Sequence, residues 1–331
     1  MKMNCFHNRK NVGYKFIVLI VLVMLAIALY MTIGVRFNHP RLFAYAMEQR
    51  TTKVIVMLLV AFSIGAASLV FQSIINNTIV TPCLLGMNSL YTLVHTAVVF
   101  FLGSGSLLAR NSNLAFLADL LIMAVIATLV YSCIFKKTRY NVLYVLLIGT
   151  VLTSFFSSIQ NTLVRAMDPN EYETLLTTLV ASFNNINEEI IILAAVLLLL
   201  VLIALRKELK VLDVITLGKD QAINLGVNYD YTIRKLLLGV VLLISIATAL
   251  VGPISFMGLI VANLSRQLFK TYRHKELILG SALIGTILLI AGQLIVEQVY
   301  SYAIPISVFI TVVGGVYFLY LLLRQGRSIN R

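Results

Sequence analysis

The stretch that decides the fold is Leu217-Gly218-Lys219-Asp220-Gln221-Ala222-Ile223-Asn224-Leu225-Gly226-Val227, the middle of a polar island at residues 206–235 between two long apolar runs. Its glycines predict two short helical pieces in a water-exposed segment. Four side chains give this segment a small apolar face: Ala222, Ile223, Leu225 and Val227. In a chain of membrane helices, such a face is typical of a docking surface for a soluble partner, and a plain connector is the alternative.

The composition places the chain among all-α polytopic membrane proteins. Of its 331 residues, 60% are hydrophobic and only 12% are charged, which is too apolar for a soluble domain. The net charge of +13 would suggest nucleic acid for a soluble protein, but here it indicates basic loops on one side of a membrane, with no nucleic acid as partner. Because its three cysteines are scattered singly, neither a disulfide framework nor a metal site is predicted.

Hydropathy predicts about ten transmembrane helices within one transmembrane domain at residues 1–331. A span needs about 20 apolar residues. The tenth, at 256–268, follows a Gly252-Pro253 break and is too short to cross unaided, so we expect it to be buried in the bundle. The first helix shows no cleavage pattern and is expected to be retained. The other predicted spans are 16–35, 54–75, 86–102, 114–134, 141–163, 188–205, 234–251, 277–296 and 305–323.

Basic residues predict the orientation of the chain in the cytoplasmic membrane. With both termini inside, most lysines and arginines fall on inner segments, including the polar island at 206–235. The outer segments collect acidic residues instead, among them a connection at 164–187 with a predicted surface helix from Glu171 to Ser182 and an Asn-rich turn at 184–187. That connection is either a lid over an outward-facing cavity or a simple loop.

Polar side chains inside the spans are few. Thr150, Ser154, Ser157 and Asn161 recur at helical spacing in the fifth span and form one polar stripe. Such a stripe lines a wet pathway or hydrogen-bonds a neighbouring helix, and we favour the pathway. Asp119 is the one clear charged candidate, and its place near the outer end of a span predicts a solvated carboxylate. The lack of a chain of buried acids argues against ion-coupled transport.

The sequence contains no catalytic constellation. The four histidines are far apart, and no phosphate-binding loop of the G-x-x-x-x-G-K-[ST] type is present, since Gly218-Lys219 is followed by Asp220. We therefore expect a transport subunit rather than an enzyme. If transport is powered by ATP, a separate subunit must hydrolyse it.

Several motifs resemble a known family. Residues 252–266 are similar to the G-P-I-x-F-x-G-L-I-V-P-H-x-x-R signature of FecCD-type permeases, which serve ABC importers of iron-siderophores, haem and vitamin B12. Asn76-Asn77 to Leu85-Gly86 resembles the family's N-P-L-A-x-P-x-x-L-G loop, and Pro305-Ile306-Ser307 with Gly314-Gly315 resembles its last span. The signature positions are occupied here by Gly252, Pro253, Phe256, Gly258, Asn263 and Arg266.

Where the sequence departs from the family pattern, its residues resemble those of one branch of the family. Ala262-Asn263 replaces the family's Pro-His, while Gln293 and Glu297 stand where an Asp and an Arg precede the final span. These features, with residues 71–91 and 269–275, resemble permeases for catecholate siderophores such as anguibactin, in which two different permease chains usually pair. The resemblance leaves haem or cobalamin import open as an alternative cargo. An ion-coupled secondary transporter is the alternative of a different class.

The resemblance implies a type II ABC importer permease fold and a set of partners. An extracytoplasmic siderophore-binding (lipo)protein delivers cargo to a cavity between two permease chains, and two ATPase subunits drive transport, so ATP is used by a partner and no cofactor is bound here. The family's basic pair for binding-protein docking corresponds to Arg50 and Lys53. Its ATPase-coupling positions correspond to Gly218, Gln221, Ala222, Leu225 and Gly226.

Overall fold

The computed structural model describes residues 2–35, 40–103, 105, 112–138, 142–183 and 188–329, and the regular structure within them is helical. A short 3₁₀ helix, Pro82–Leu85, precedes the third α-helix. The twelve α-helices of these residues are α1 (Lys2–Thr32), α2 (Pro40–Ile75), α3 (Met87–Leu102), α4 (Ser112–Thr138), α5 (Val142–Ala166), α6 (Pro169–Leu179), α7 (Glu188–Ile215), α8 (Lys219–Asn224), α9 (Tyr229–Val251), α10 (Met257–Phe269), α11 (His274–Gln298) and α12 (Ile306–Ile329).

The helices confirm the predicted all-α membrane architecture. Each predicted span coincides with a helix, and 7 helices of the described chain are long and apolar enough to cross a membrane. Two further apolar helices, α3 and the described apolar part of α12, are shorter. The predicted short helix is α10, whose 13 residues reach only about 20 Å. Most of its residues are buried, as expected for a broken helix that other helices must cover.

The polar island is more helical than the sequence suggested. Helix α7 continues to Ile215 and α9 begins at Tyr229, so only α8 and its flanking turns connect them. The prediction of two short helical pieces was therefore wrong, because α8 is the one short helix between α7 and α9. Hydropathy detects only the lipid-embedded part of a helix, whereas the hydrogen-bonded backbone continues into water for several turns.

Helix α2 lies at the centre of the bundle, with 78% of its span buried. A Cβ on Gly65 would lie 2.7 Å from Ser281 Oγ, so α2 and α11 pack with almost no space between them. A Cβ on Gly314 would similarly collide with Phe256, the residue before α10. Gly65 and Gly314 therefore lie at close helix contacts, whereas a Cβ on Gly315 would meet nothing within 4 Å.

The connection after α5 forms the predicted surface helix, now α6. Its side-chain cap is Asp168, which accepts a hydrogen bond from the backbone of Asn170, and Pro169 occupies the first turn. The chain then returns to the bundle, since the Ser182 amide donates to the Val251 carbonyl at 2.9 Å. The segment after α6 is thereby attached to the end of α9. The Asn-rich turn at 184–187 lies outside the described residues.

Candidate functional sites at the two ends of the bundle

Two glycines set the shape of the α8 segment. Gly218 and Gly226 have φ values of 106° and 83°, a left-handed conformation that favours glycine, and they begin and end the turn that carries α8. The Ala222 amide donates to the Gly218 carbonyl at 3.0 Å, and the Val227 amide donates to Ala222 at 3.0 Å. A Cβ on either glycine would meet nothing within 4 Å, so conformation rather than space requires glycine there.

The α8 segment presents an apolar patch to its surroundings. Leu217, Ile223 and Leu225 are 54%, 48% and 64% exposed, and Gln221 is exposed beside them. The side chain of Ala222 is fully buried, so the prediction that it lies on the exposed face for ATPase contact is corrected. It anchors α8 against the rest of the chain. The name "α8 patch" below means Leu217, Ile223 and Leu225.

Ion pairs hold the helices that flank α8. Lys235 of α9 lies 2.7 Å from Glu208 of α7, and Lys219 of α8 lies 3.6 Å from Asp230 of α9. The Lys235–Glu208 pair is partly buried and joins the two long helices directly. The two pairs therefore connect α8 to α9 and α9 to α7.

A buried polar network lies at the same end of the bundle and joins four helices. The Nε2 atom of His274 (α11) lies 2.8 Å from Ser73 Oγ (α2), and its Nδ1 atom contacts the carboxylate of Asp213 (α7). Arg266 of α10 donates to the same Ser73 oxygen at 3.1 Å. The sequence alone does not indicate this network, because Ser73 of α2 lies 193 residues before Arg266 and 201 residues before His274.

The family-signature residues form the turn before α10 and the contacts that pack α10 against its neighbours. Gly252 has φ 92°, and its Cβ would lie 2.9 Å from the backbone of Ala181. The left-handed Phe256 begins α10 and packs on Phe318, with ring centroids 6.0 Å apart. Asn263 donates to the Thr78 carbonyl at 2.8 Å, which ties α10 to the loop after α2. Gly258 allows the close approach of Ser68 on α2.

The opposite end of α2 carries a second cluster, built around Glu297 of α11. Lys53 lies 3.0 Å and Arg50 3.8 Å from its carboxylate, and the Tyr30 hydroxyl donates to it at 2.7 Å. Gln293 donates to the same oxygen at 2.9 Å. In the loop after α11, desolvation and the negative charge of Glu297 raise the pKa of Tyr302 to about 12, so its hydroxyl stays protonated.

The cluster accounts for the positions of Arg50 and Lys53. Lys53 is only 9% exposed, and Arg50 also donates to the backbone carbonyl of Ile33 at 2.7 Å. Both cations are engaged within the chain in this conformation. A carboxylate on a docking partner would have to share them with Glu297.

The four predicted pathway residues lie on α5, and three of them point away from the chain's own core. Thr150, Ser154 and Asn161 are exposed, while Ser157 is partly buried with its hydroxyl 3.3 Å from Ser89. Only 17% of the α5 span is buried, and it is the least apolar of the candidate spans of the described chain. A polar, uncovered membrane helix is unsuited to lipid contact.

Asp119 differs from its prediction. Its side chain is buried rather than solvated, and its carboxylate lies 2.9 Å from His95 Nδ1 of α3. The imidazole supplies the partner that a buried carboxylate requires. Both residues were visible in the sequence, but their pairing depends on how α3 packs against α4.

These features define a helical, multi-pass membrane protein whose sequence contains no nucleotide-binding loop of the G-x-x-x-x-G-K-[ST] type. The FecCD transport family matches residues 14–324, and the chain belongs to that family. It is 38% identical over 284 residues to the petrobactin import system permease protein YclO of Bacillus subtilis. This match covers 86% of this chain and 90% of the relative. It is 30% identical to the petrobactin import system permease protein FatC of Bacillus anthracis, over 97% and 92% of the two chains.

A solved structure has the same fold. It is described as an inward-facing conformation of a metal-chelate type ABC transporter, and it matches 94% of this chain and 99% of its own with a TM-score of 0.77. The sequence identity is 23%, so this likeness shows the fold alone. The predicted type II importer permease fold is confirmed. As a member of the FecCD transport family, the chain is a transport permease.

Proposed function

We propose that this chain is the permease subunit of an importer for a ferric siderophore of catecholate type, with ferric petrobactin as the first candidate cargo. The observation that carries the proposal is its similarity, along 86% and 97% of its length, to two permeases named for petrobactin import. The departures from the family signature at Ala262-Asn263, noted in the sequence, favour the same branch.

ATP hydrolysis on a separate subunit powers transport in this proposal, with two such subunits per transporter. The α8 patch supports it, because three exposed apolar side chains, one on α8 and one on each side of it, fit a cleft on a soluble partner. The contact surface is formed or shaped by Gly218, Gln221, Leu225 and Gly226. The buried Ala222 transmits the movement of α8 to the bundle. The Lys235–Glu208 pair passes that displacement to α7 and α9.

A second permease chain completes the pathway. The uncovered polar stripe of α5 supports this part of the proposal, since Thr150, Ser154 and Asn161 need either water or protein around them. In a pair of permease chains, two such stripes face a shared central cavity, with Ser157 at its edge. The partner is a different paralogue, as in the branch that the sequence resembles, or a second copy.

The α8 end faces the cytoplasm and the Glu297 end faces outward in this proposal. The support is the concentration of basic residues on the α8 side, with both termini inside. A siderophore-binding (lipo)protein docks on the outer end, where its acidic residues pair with Arg50 and Lys53. The binding protein's carboxylates compete there with Glu297.

Uptake of radioactive iron by a strain lacking this gene tests the proposed function. We expect deletion to abolish uptake from ferric petrobactin, a plasmid copy to restore it, and uptake from a ferric hydroxamate to be unchanged. Loss of hydroxamate uptake alone, or a defect only in haem or cobalamin use, would reject the proposed cargo. Each of these outcomes assigns the permease to a different substrate class.

A further inference from the structure

A groove lies on the outside of the bundle between α4 and α9, at the end that carries α8. It encloses about 480 Å³ and is lined by residues of both helices. Its mouth is formed by Tyr231, Arg234 and Lys235 in the first two turns of α9. Its floor is mostly apolar, with Thr128 of α4 facing Leu238 and Val241 of α9.

We infer that this groove is a binding site for an anionic phospholipid. The phosphate lies at the mouth beside Arg234 and Lys235, and one acyl chain follows the apolar floor toward Val241. Basic pockets between transmembrane helices at the cytoplasmic surface are suited to anionic headgroups. The inference concerns the lipid around the chain and does not depend on the cargo that the permease carries.

Charge at the mouth favours an anion. Lys235 is paired with Glu208, whose carboxylate offsets one positive charge, but Arg234 is exposed and forms no ion pair with another described residue. The Lys235 ammonium also lies 5.9 Å from the centre of the Tyr231 ring. Tyr231 is 59% exposed, and an amphipathic aromatic at this position is typical of the membrane–water interface.

The groove's dimensions fit one leaflet of the membrane. Ten residues of α9 separate Tyr231 from Val241, a rise of about 15 Å. That is about half the thickness of the hydrocarbon core, which is roughly 30 Å. A lipid anchored at the mouth therefore reaches the bilayer centre where the groove ends.

The surrounding surface supports a lipid rather than a protein as occupant. Val125 and Leu129 on the neighbouring face of α4 are 58% and 67% exposed, and Leu238 of α9 is 39% exposed. This apolar surface contrasts with the polar stripe of α5, which requires protein or water. Because the bundle stands in a bilayer, lipid is the medium that meets an apolar outer face.

Fluorescence quenching tests the inference on the full-length chain in lipid nanodiscs. The chain contains no tryptophan, so Tyr231→Trp places a single fluorophore at the groove mouth. We expect phosphatidylglycerol with brominated acyl chains to reach half-maximal quenching at about five-fold lower mole fraction than brominated phosphatidylcholine. Adding Arg234→Gln should remove this preference, whereas Lys275→Gln, an equal loss of charge on an exposed residue of α11, should retain it.

Three results would overturn the inference. Equal quenching by the two brominated lipids would show that the groove mouth does not select charge. A preference that survives Arg234→Gln would place the selectivity elsewhere. The absence of quenching by either lipid would show that lipid does not enter the groove, as expected if a protein partner covers it.

Discussion

The Lys53 ammonium lies 3.0 Å from the Glu297 carboxylate and joins α2 to α11 across 244 residues of chain. The same two helices meet again at their other ends, where Ser73 Oγ lies 2.8 Å from His274 Nε2. Between these contacts, Gly65 lets Ser281 approach closely. Helices α2 and α11 are therefore in direct contact near both ends and in the middle of their shared length.

Replacement of Glu297 by glutamine should destabilise the protein. The change leaves the Lys53 charge buried without its counter-ion, which costs about 3–5 kcal/mol in comparable cases. We expect the midpoint of thermal denaturation in detergent to fall by roughly 5–10 °C. Lys53→Met in the same background removes the unpaired charge and should recover part of the loss.

Glu276→Gln is the matched control for that experiment, because Glu276 lies on the same helix in a more exposed pair with Arg273 at 3.6 Å. It should change stability by less than about 1 kcal/mol. Equal effects of the two substitutions, or no recovery with Lys53→Met, would contradict the proposed contribution of the cluster.

Replacement of Gly226 by valine should uncouple ATP hydrolysis from uptake while the protein still inserts. A β-branched residue cannot adopt φ 83° without strain, so the turn that orients α8 changes shape. Uptake and ATPase activity are measured on the same assembled transporter. Gly13→Val is the control, because its Cβ also meets nothing within 4 Å and its φ is ordinary. Unchanged uptake in Gly226→Val would reject the coupling role.

Replacement of Leu225 by aspartate should weaken association with the ATPase subunit about ten-fold, the loss expected when one well-packed apolar contact is removed. Leu225 is 64% exposed, so the substitution leaves the bundle intact. Asn224→Asp introduces the same charge on a neighbouring exposed residue and should have a much smaller effect. Co-purification of the subunits at graded concentrations distinguishes the two. Wild-type association in Leu225→Asp would show that the α8 patch is not the contact.

Replacement of Gly258 by valine should force α2 and α10 apart. Even a Cβ there would collide with the Ser68 hydroxyl, and overpacking of this kind costs about 1–3 kcal/mol. The measurement is again the midpoint of thermal denaturation. Ser68→Gly should restore part of the stability, since it removes the colliding atoms. If Ser68→Gly brings no recovery, the destabilisation has another origin.

Replacement of Arg50 by glutamine should slow association with the cargo-loaded binding protein and weaken its salt dependence, since charges at an interface chiefly steer encounter. Arg41→Gln, a change at an exposed arginine in the first turn of α2, is the control. Lys53 is unsuitable for charge reversal, because a carboxylate there would face Glu297 directly. An association rate unaffected by Arg50→Gln would remove Arg50 from the docking surface.

The sequence predicted the order and approximate positions of the long helices, because a run of about 20 apolar residues is typical of a membrane span. Of the about ten predicted spans, 7 coincide with helices of the described chain that are long and apolar enough to cross a membrane. It also predicted the surface helix α6, and its glycines marked the turns on either side of α8, although one short helix lies there rather than two. Helix ends were less accurate, since α2 begins at Pro40, well before the predicted span at residue 54. The water-exposed turns of a helix carry no hydropathy signal.

The pairings of distant polar residues could not be predicted from one sequence. His95 with Asp119 and Lys53 with Glu297 are contacts that exist only once specific helices are adjacent. A hydropathy pattern gives the same value to a solvated charge and to a buried, paired one. This is why Asp119 was predicted to be solvated, although it is buried. Ala222 was placed on the exposed face of α8 for a different reason, since six helical residues do not indicate which side packs on the bundle.

The central claim is that this chain is a passive conduit driven by ATP hydrolysis on another subunit. Its most direct test is iron uptake into proteoliposomes that contain the chain with its permease partner, its ATPase subunits and the loaded binding protein. We predict accumulation of ferric petrobactin that requires ATP and persists when ionophores collapse every ion gradient. Uptake without ATP or the ATPase subunits, driven by an imposed proton or sodium gradient, would contradict the claim.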